Sequence, residues 1–164
     1  MPWTNAPQVV LHGTDEPAAL NIRANGIDLK LARLAADFGP GFYVTSSRHQ
    51  AQQWANKKAR RSGARAAVVS FDLDRDAAAQ LRDHIAFVVA GADFFDFVAY
   101  NRRGTNLDHA RLSRVPYDLL YGPVAAYPSM LIYQDCDQIC LRTDKALAIL
   151  SPVTHITYGI PLFA

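Results

Sequence analysis

The chain has 164 residues, half of them hydrophobic and a fifth charged, with a formal net charge of +2. This is ordinary globular composition and suits one domain over residues 1–164, while the charge is too small to imply nucleic acid or an anionic membrane by itself. The first ten residues lack a basic n-region and a long apolar core, and no apolar run approaches ~18 residues, so neither a secretory signal nor a membrane span is expected.

Residues 8–11 read as a short buried strand ending at His12-Gly13. Thr14 or Asp15 can cap a helix that carries Pro17 in its first turn and stops at Asn25-Gly26. Residues 27–37 read as loop with one helical turn. The Gly39-Pro40-Gly41 bend then leads into a strand over 42–45. Side chains alternate along a strand, so Phe42 and Tyr43 must face opposite ways, Phe42 as the core anchor.

Ser46 or Ser47 caps the next helix, about 48–61, with Ala51, Trp54, Ala55 and Ala59 on one face and Gly63 at its end. Residues 66–73 are rich in β-formers and read as a central strand. Residues 76–83 read as helical, and 93–102 as an amphipathic helix with Phe94, Phe97 and Val98 inward. A polar loop over 104–114 precedes a strand over 117–125 that Gly122-Pro123 breaks. A strand over 138–142, a short helix over 143–150 capped by Thr143 or Asp144, and an edge strand over 153–158 close the chain. Without regular βαβ alternation the fold class is α+β.

Cys136 and Cys140 are the only cysteines. On one strand they lie roughly 13 Å apart, too far for a disulfide, and read as free thiols in a reducing compartment. Asp135 and Asp137 flank Cys136, but nothing else sits at metal-ligand spacing, so no metal is expected. His12 is either a packing or capping histidine or a polar group beside a glycine that lets a ligand approach. Lys57, Lys58, Arg60, Arg61 and Arg65 form a basic run that is either a solvated helix end or a phosphate contact.

Together these residues resemble the ADP-ribosyltransferase superfamily, in the His-Tyr-Glu branch shared by diphtheria toxin and the poly(ADP-ribose) polymerases. That branch has a strand ending in His-Gly-Ser/Thr, matched by His12-Gly13-Thr14. It has Phe-Gly-x-Gly-hydrophobic-Tyr, matched from Phe38 to Tyr43. A second aromatic on the next helix matches Trp54, and the last motif residue falls at Gln138. Residues 97–102, 118–125 and 138–147 further resemble a small bacterial family within that superfamily, so the likeness covers about residues 9–150.

The resemblance implies a split β-sandwich with flanking helices and NAD⁺ in the cleft between two sheets. It implies that His12 bonds a ribose hydroxyl, that the Gly13 backbone binds the nicotinamide carboxamide, and that Thr14 assists at the ribose. Tyr43 would stack on the nicotinamide, Trp54 would close the other side, and Gly41 and Phe42 would shape the same site. His12, Tyr43 and Gln138 would carry the chemistry, with NAD⁺ as substrate and no metal. The departure is Gln138, since glutamine carries no charge and cannot act as a base. Asp135 or Asp137 is a candidate source of the missing charge.

The implied activity is mono-ADP-ribosyl transfer from NAD⁺ to a macromolecular acceptor, protein ahead of RNA, by a bacterial toxin or effector. A neutralising antitoxin or immunity protein would then be its partner. NAD⁺ glycohydrolysis and silent NAD⁺ or ADP-ribose binding are the alternatives. A cytoplasmic, membrane-free protein is the expected setting, compatible with export by a signal-independent machine.

Overall fold

The computed structural model describes residues 6–103 and 117–164. Its elements run β1 (Gln8–Asp15), α1 (Glu16–Asn25), a 3-10 turn (Leu29–Leu31), β2 (Phe42–Val44), α2 (Arg48–Ser62), β3 (Ala66–Leu73), α3 (Arg75–Gln80), β4 (His84–Ala86), α4 (Ala92–Arg102), β5 (Leu119–Ala125), β6 (Ile132–Leu141), α5 (Asp144–Leu147) and β7 (His155–Tyr158). The architecture is α+β, with sheets ordered β1-β3-β7 and β2-β6-β5-β4. The described residues form two compact units, one from residues 6–27, 44–79 and 148–164, the other from 28–43, 80–103 and 117–147. The polar segment expected over 104–114 lies outside the described residues.

In the first unit, local signals set the helices. Asp15 caps α1 by accepting from the Ala18 amide, and Gly26 ends it. Ser47 accepts from the Gln50 amide at the head of α2, and Gly63 closes that helix in the left-handed region. Ala51, Ala55 and Ala59 pack with Leu11, Ala66 and Val68. Trp54 does not share that face. It is 44% exposed, because three alanines let the helix backbone lie directly on β1, where an indole has no room.

β1 is longer than expected. All eight of its residues pair antiparallel with β3, from Gln8↔Leu73 to Asp15↔Ala66. His12, Gly13 and Thr14 therefore lie inside the strand and not after it. β3 is central, with β7 on its other edge.

In the second unit, Phe38, Phe87, Phe94, Phe97, Val98, Tyr117 and Leu120 form the core with Ala125 and Cys140. The unexpected β4 is only three residues and pairs parallel with the start of β5. β5 is not broken at Gly122-Pro123. Pro123 has the parity of Tyr121, whose carbonyl faces the β4 side, and β4 pairing ends at Tyr121. The missing proline N–H therefore removes no ladder bond, and the strand continues with a register shift between Pro123 and Ala125. β6 starts at Ile132, so Gln138 lies in its interior, opposite Gly122, and does not open the strand. The exposed polar residues Gln134 and Asp135 hide this strand from a hydrophobic-pattern reading.

α3 and α5 stop earlier than expected. The Asp83 carbonyl is taken by the Asp118 amide, and the Ile149 carbonyl by the Asp74 amide. Cys136 and Cys140 form no disulfide; Cys140 is buried and Cys136 partly so. Among the described residues no helix is long and apolar enough to cross a membrane, and no metal-binding cluster occurs.

Candidate functional site

In the first unit, side-chain alternation puts Leu11 and Gly13 on the α2 face of β1, and Val10, His12 and Thr14 on the other. A Cβ on Gly13 would stand 2.0 Å from the Ala51 carbonyl oxygen and 2.9 Å from the Ala55 nitrogen. The missing side chain is thus filled by the α2 backbone. Close approach at Gly13 serves helix packing on that face.

The Gly13 backbone has a separate role. The Leu11 N–H donates to the Thr45 carbonyl at 2.8 Å, and the Thr45 N–H donates to the Leu11 carbonyl at 2.9 Å. Leu11 therefore turns its peptide groups away from β3. Gly13, two residues on, has the same parity and turns its N–H and C=O to the same edge. Among the described residues neither group has a partner. The pair offers one donor and one acceptor side by side. His12 is partly exposed, whereas Thr14 is fully buried with its Oγ1 unpartnered among the described residues.

Trp54 and Lys57 form an exposed pair on α2, the ammonium 4.9 Å from the ring centroid.

In the second unit, the site is organised around a residue that sequence reasoning missed. Asp37 is 2% exposed and saturates both carboxylate oxygens. Oδ1 accepts from Arg102 Nε at 2.7 Å and Nη2 at 2.5 Å. Oδ2 accepts from the Ala125 amide at 2.9 Å and from Gln138 Nε2 at 2.8 Å. The Gln138 Nε2 also donates to the Pro123 carbonyl at 2.9 Å. Both partners are pure acceptors, which fixes the orientation of the amide. Its Oε1 has no partner among the described residues, so the acceptor end is the available one.

This network explains motifs that looked unrelated. Arg102 ends α4, Pro123 and Ala125 come from the Gly-Pro-Val-Ala segment, and Gln138 from β6. The carboxylate beside Gln138 is Asp37, and neither Asp135 nor Asp137 takes that place; Asp135 is exposed at a positive φ of 56°. Asp37 opens the Gly-Pro-Gly stretch and lies 101 residues from Gln138, a separation that leaves no local signal.

Tyr43 is half-buried, and its ring packs on the phenylalanine core. Its hydroxyl donates to the Gly39 carbonyl at 2.6 Å and accepts from the Phe38 amide at 3.0 Å. Burial, then the neighbouring Cys140 thiol, push this phenol well above its ordinary pKa. Phe42 is buried. Gly39 has φ 75°, and a Cβ there would meet Asn101 Oδ1 at 2.8 Å. A Cβ on Gly41 would meet Cys140 Sγ. The bend thus serves close packing on α4 and β6, with Tyr43 locked to it.

The family model described as protein of unknown function (DUF3990) matches residues 10–151. The chain belongs to that family. The DUF3990 match includes His12, Gly13, Asp37, Tyr43, Arg102 and Gln138, so both groups of residues described above fall inside it. No curated protein matches the chain.

Proposed function

We propose that the chain is an NAD⁺-dependent mono-ADP-ribosyltransferase of the His-Tyr-Glu type, on a split β-sandwich, with glutamine in the third motif position. The observation that carries this reading is the unpartnered Gly13 N–H and C=O. A carboxamide has one donor group and one acceptor, and this backbone pair complements both.

In this reading His12 takes a ribose hydroxyl, and Tyr43 supplies a ring for the nicotinamide. Its hydroxyl is held at both ends, so the ring is preset, and offset stacking adds roughly 0.5–1.5 kcal/mol beyond burial. Gln138 accepts from a ribose hydroxyl through Oε1. Thr14, fully enclosed, supports the strand and is not asked to touch the ligand.

The nicotinamide–ribose bond breaks through an oxocarbenium-like state. Nicotinamide leaves with the bonding electron pair, and an acceptor nucleophile takes the anomeric carbon and loses its proton to solvent. Gln138 orients the ribose but cannot remove that proton, which favours single transfer to an acceptor that is already nucleophilic. The proposed biological role is that of a bacterial toxin or effector.

Incubation with NAD⁺ labelled in the adenylate part and a bacterial lysate tests the reading. Labelled macromolecule with matching nicotinamide release is expected, and Gln138→Ala and Tyr43→Ala should each abolish it. Nicotinamide release without label would make the protein a glycohydrolase. Thermal stabilisation by NAD⁺ without release would make it a silent binder. No stabilisation, no label and no release would overturn the reading.

A further inference from the structure

We propose that the outward face of α2 is a binding surface for single-stranded polynucleotide. The helix carries five of the chain's 17 Lys and Arg residues and none of its 15 Asp and Glu residues. Trp54, Lys57, Lys58 and Arg61 stand at i, i+3, i+4 and i+7, a single stripe about 10 Å long. All four are exposed.

Arg65, at the end of the same basic run, shows what a structurally committed cation looks like here. It pairs with Glu16 at 2.6 Å and lies over the Tyr158 ring. Lys58, Arg60 and Arg61 have no such partner among the described residues, and Lys57 meets only Trp54. The helix dipole accounts for Arg60 and Arg61 in the last turn. It does not account for Lys57 and Lys58, nor for an exposed indole beside them.

Unpaired cations flanking an exposed aromatic fit a ligand with repeated phosphates and flat faces. A lipid surface fits less well. The small apolar residues Ala51, Ala55 and Ala59 are buried with β1 and β3, so the outward face has one indole and no apolar stripe to insert. An acidic peptide would use the cations and leave the indole unexplained. The proposal concerns binding alone and stands or falls apart from the NAD⁺ reading.

Fluorescence anisotropy tests it with a labelled mixed-sequence RNA of about twenty nucleotides, alongside DNA of the same sequence. A log–log salt slope of about −2 is expected, from three cations at about 0.7 each on a single strand. Lys58→Gln with Arg61→Gln should cut that slope to about −0.7 and weaken low-salt binding at least tenfold. Trp54→Leu should weaken binding about tenfold with the slope unchanged. Thermal melts confirm that the variants, all on exposed positions, are folded. Binding of either strand with these losses supports the proposal, and the tighter strand identifies the sugar preferred. No binding at low salt, binding indifferent to the double variant, or equal affinity for polyglutamate or phosphatidylserine vesicles overturns it.

Discussion

Gln138 is held by Asp37: the amide nitrogen of one donates to the carboxylate of the other at 2.8 Å, inside a site where Asp37 is 2% exposed. The same carboxylate takes two bonds from Arg102, whose side chain is 30% exposed, and one from the Ala125 amide. Four donors converge on one acceptor group. Asp37→Asn keeps the shape but turns one oxygen into a donor facing donors. We expect a loss of about 2–4 kcal/mol, moderated by Arg102's access to water. Urea unfolding measures it, and a loss below about 0.5 kcal/mol would mean that the network contributes little.

Glutamate should be poorly tolerated at position 138. Gln138→Glu would set a second carboxylate within hydrogen-bond distance of Asp37 Oδ2, and also against the Pro123 carbonyl. Two carboxylates at that distance cannot both ionise freely, so the pair holds a proton and one group titrates above the ordinary range. A carboxyl whose folded pKa is raised destabilises as pH climbs past its unfolded value of about 4.3 and up through the raised one. The variant should therefore be less stable than the parent at pH 7, with the gap closing as pH falls toward about 5. Melting temperatures of the two proteins across that range decide it, and a gap that widens on acidification would contradict the carboxylate-pair argument.

The local grammar of the chain was readable wherever a residue acts on its near neighbours. Residue type and position narrow the caps to Thr14 or Asp15 and to Ser46 or Ser47, and the structure uses Asp15 and Ser47, while Gly63 ends its helix as expected. Phe94, Phe97 and Val98 face the core as their spacing indicated. What escaped depends on distant partners. Trp54 fits an apolar helix face by spacing alone, and only Gly13 with the backbone of α2 laid against it shows why alanines occupy that face. β4 is too short to carry a pattern. Pro123 signals a break in sequence, but its missing N–H matters only where a neighbouring strand faces it, and β4 pairing ends at Tyr121. Asp37 directly precedes the Phe38–Tyr43 motif, yet its role is set by Arg102, Ala125 and Gln138, which chain order keeps far away.

Tyr43 should leave a signature at alkaline pH. Its folded pKa is raised, chiefly by burial and next by Cys140, whereas the unfolded phenol titrates near 10. Below about pH 10 both states are neutral and the contribution is complete; above it only the unfolded chain loses the proton, so stability falls as pH rises toward the folded value. Tyr43→Phe removes this component. At pH 7 it also forfeits the bonds to Gly39 and Phe38, a cost of about 1–2 kcal/mol. Stability measured from pH 7 to about 11 should show the variant starting lower and declining less steeply. Parallel curves would show that the phenol titrates normally.

Gly13 and Gly63 separate two reasons for glycine. At Gly63 the backbone has φ 73° and a Cβ would meet nothing within 4 Å, so Gly63→Ala carries only the left-handed conformational cost, about 1 kcal/mol. At Gly13 the conformation is that of an ordinary strand, but a Cβ would press on the Ala51 carbonyl and the Ala55 nitrogen. Backbone cannot rotate away as a side chain can, so α2 must shift off β1. Gly13→Ala should cost about 3 kcal/mol or more, and should disturb the Ala51, Ala55 and Ala59 contacts together. Amide exchange along α2 reads this directly. Faster exchange across the middle of the helix in Gly13→Ala, and only at its C-terminal end in Gly63→Ala, is the expected contrast; a Gly13→Ala protein with parental exchange in α2 would show that the helix does not rest on this glycine.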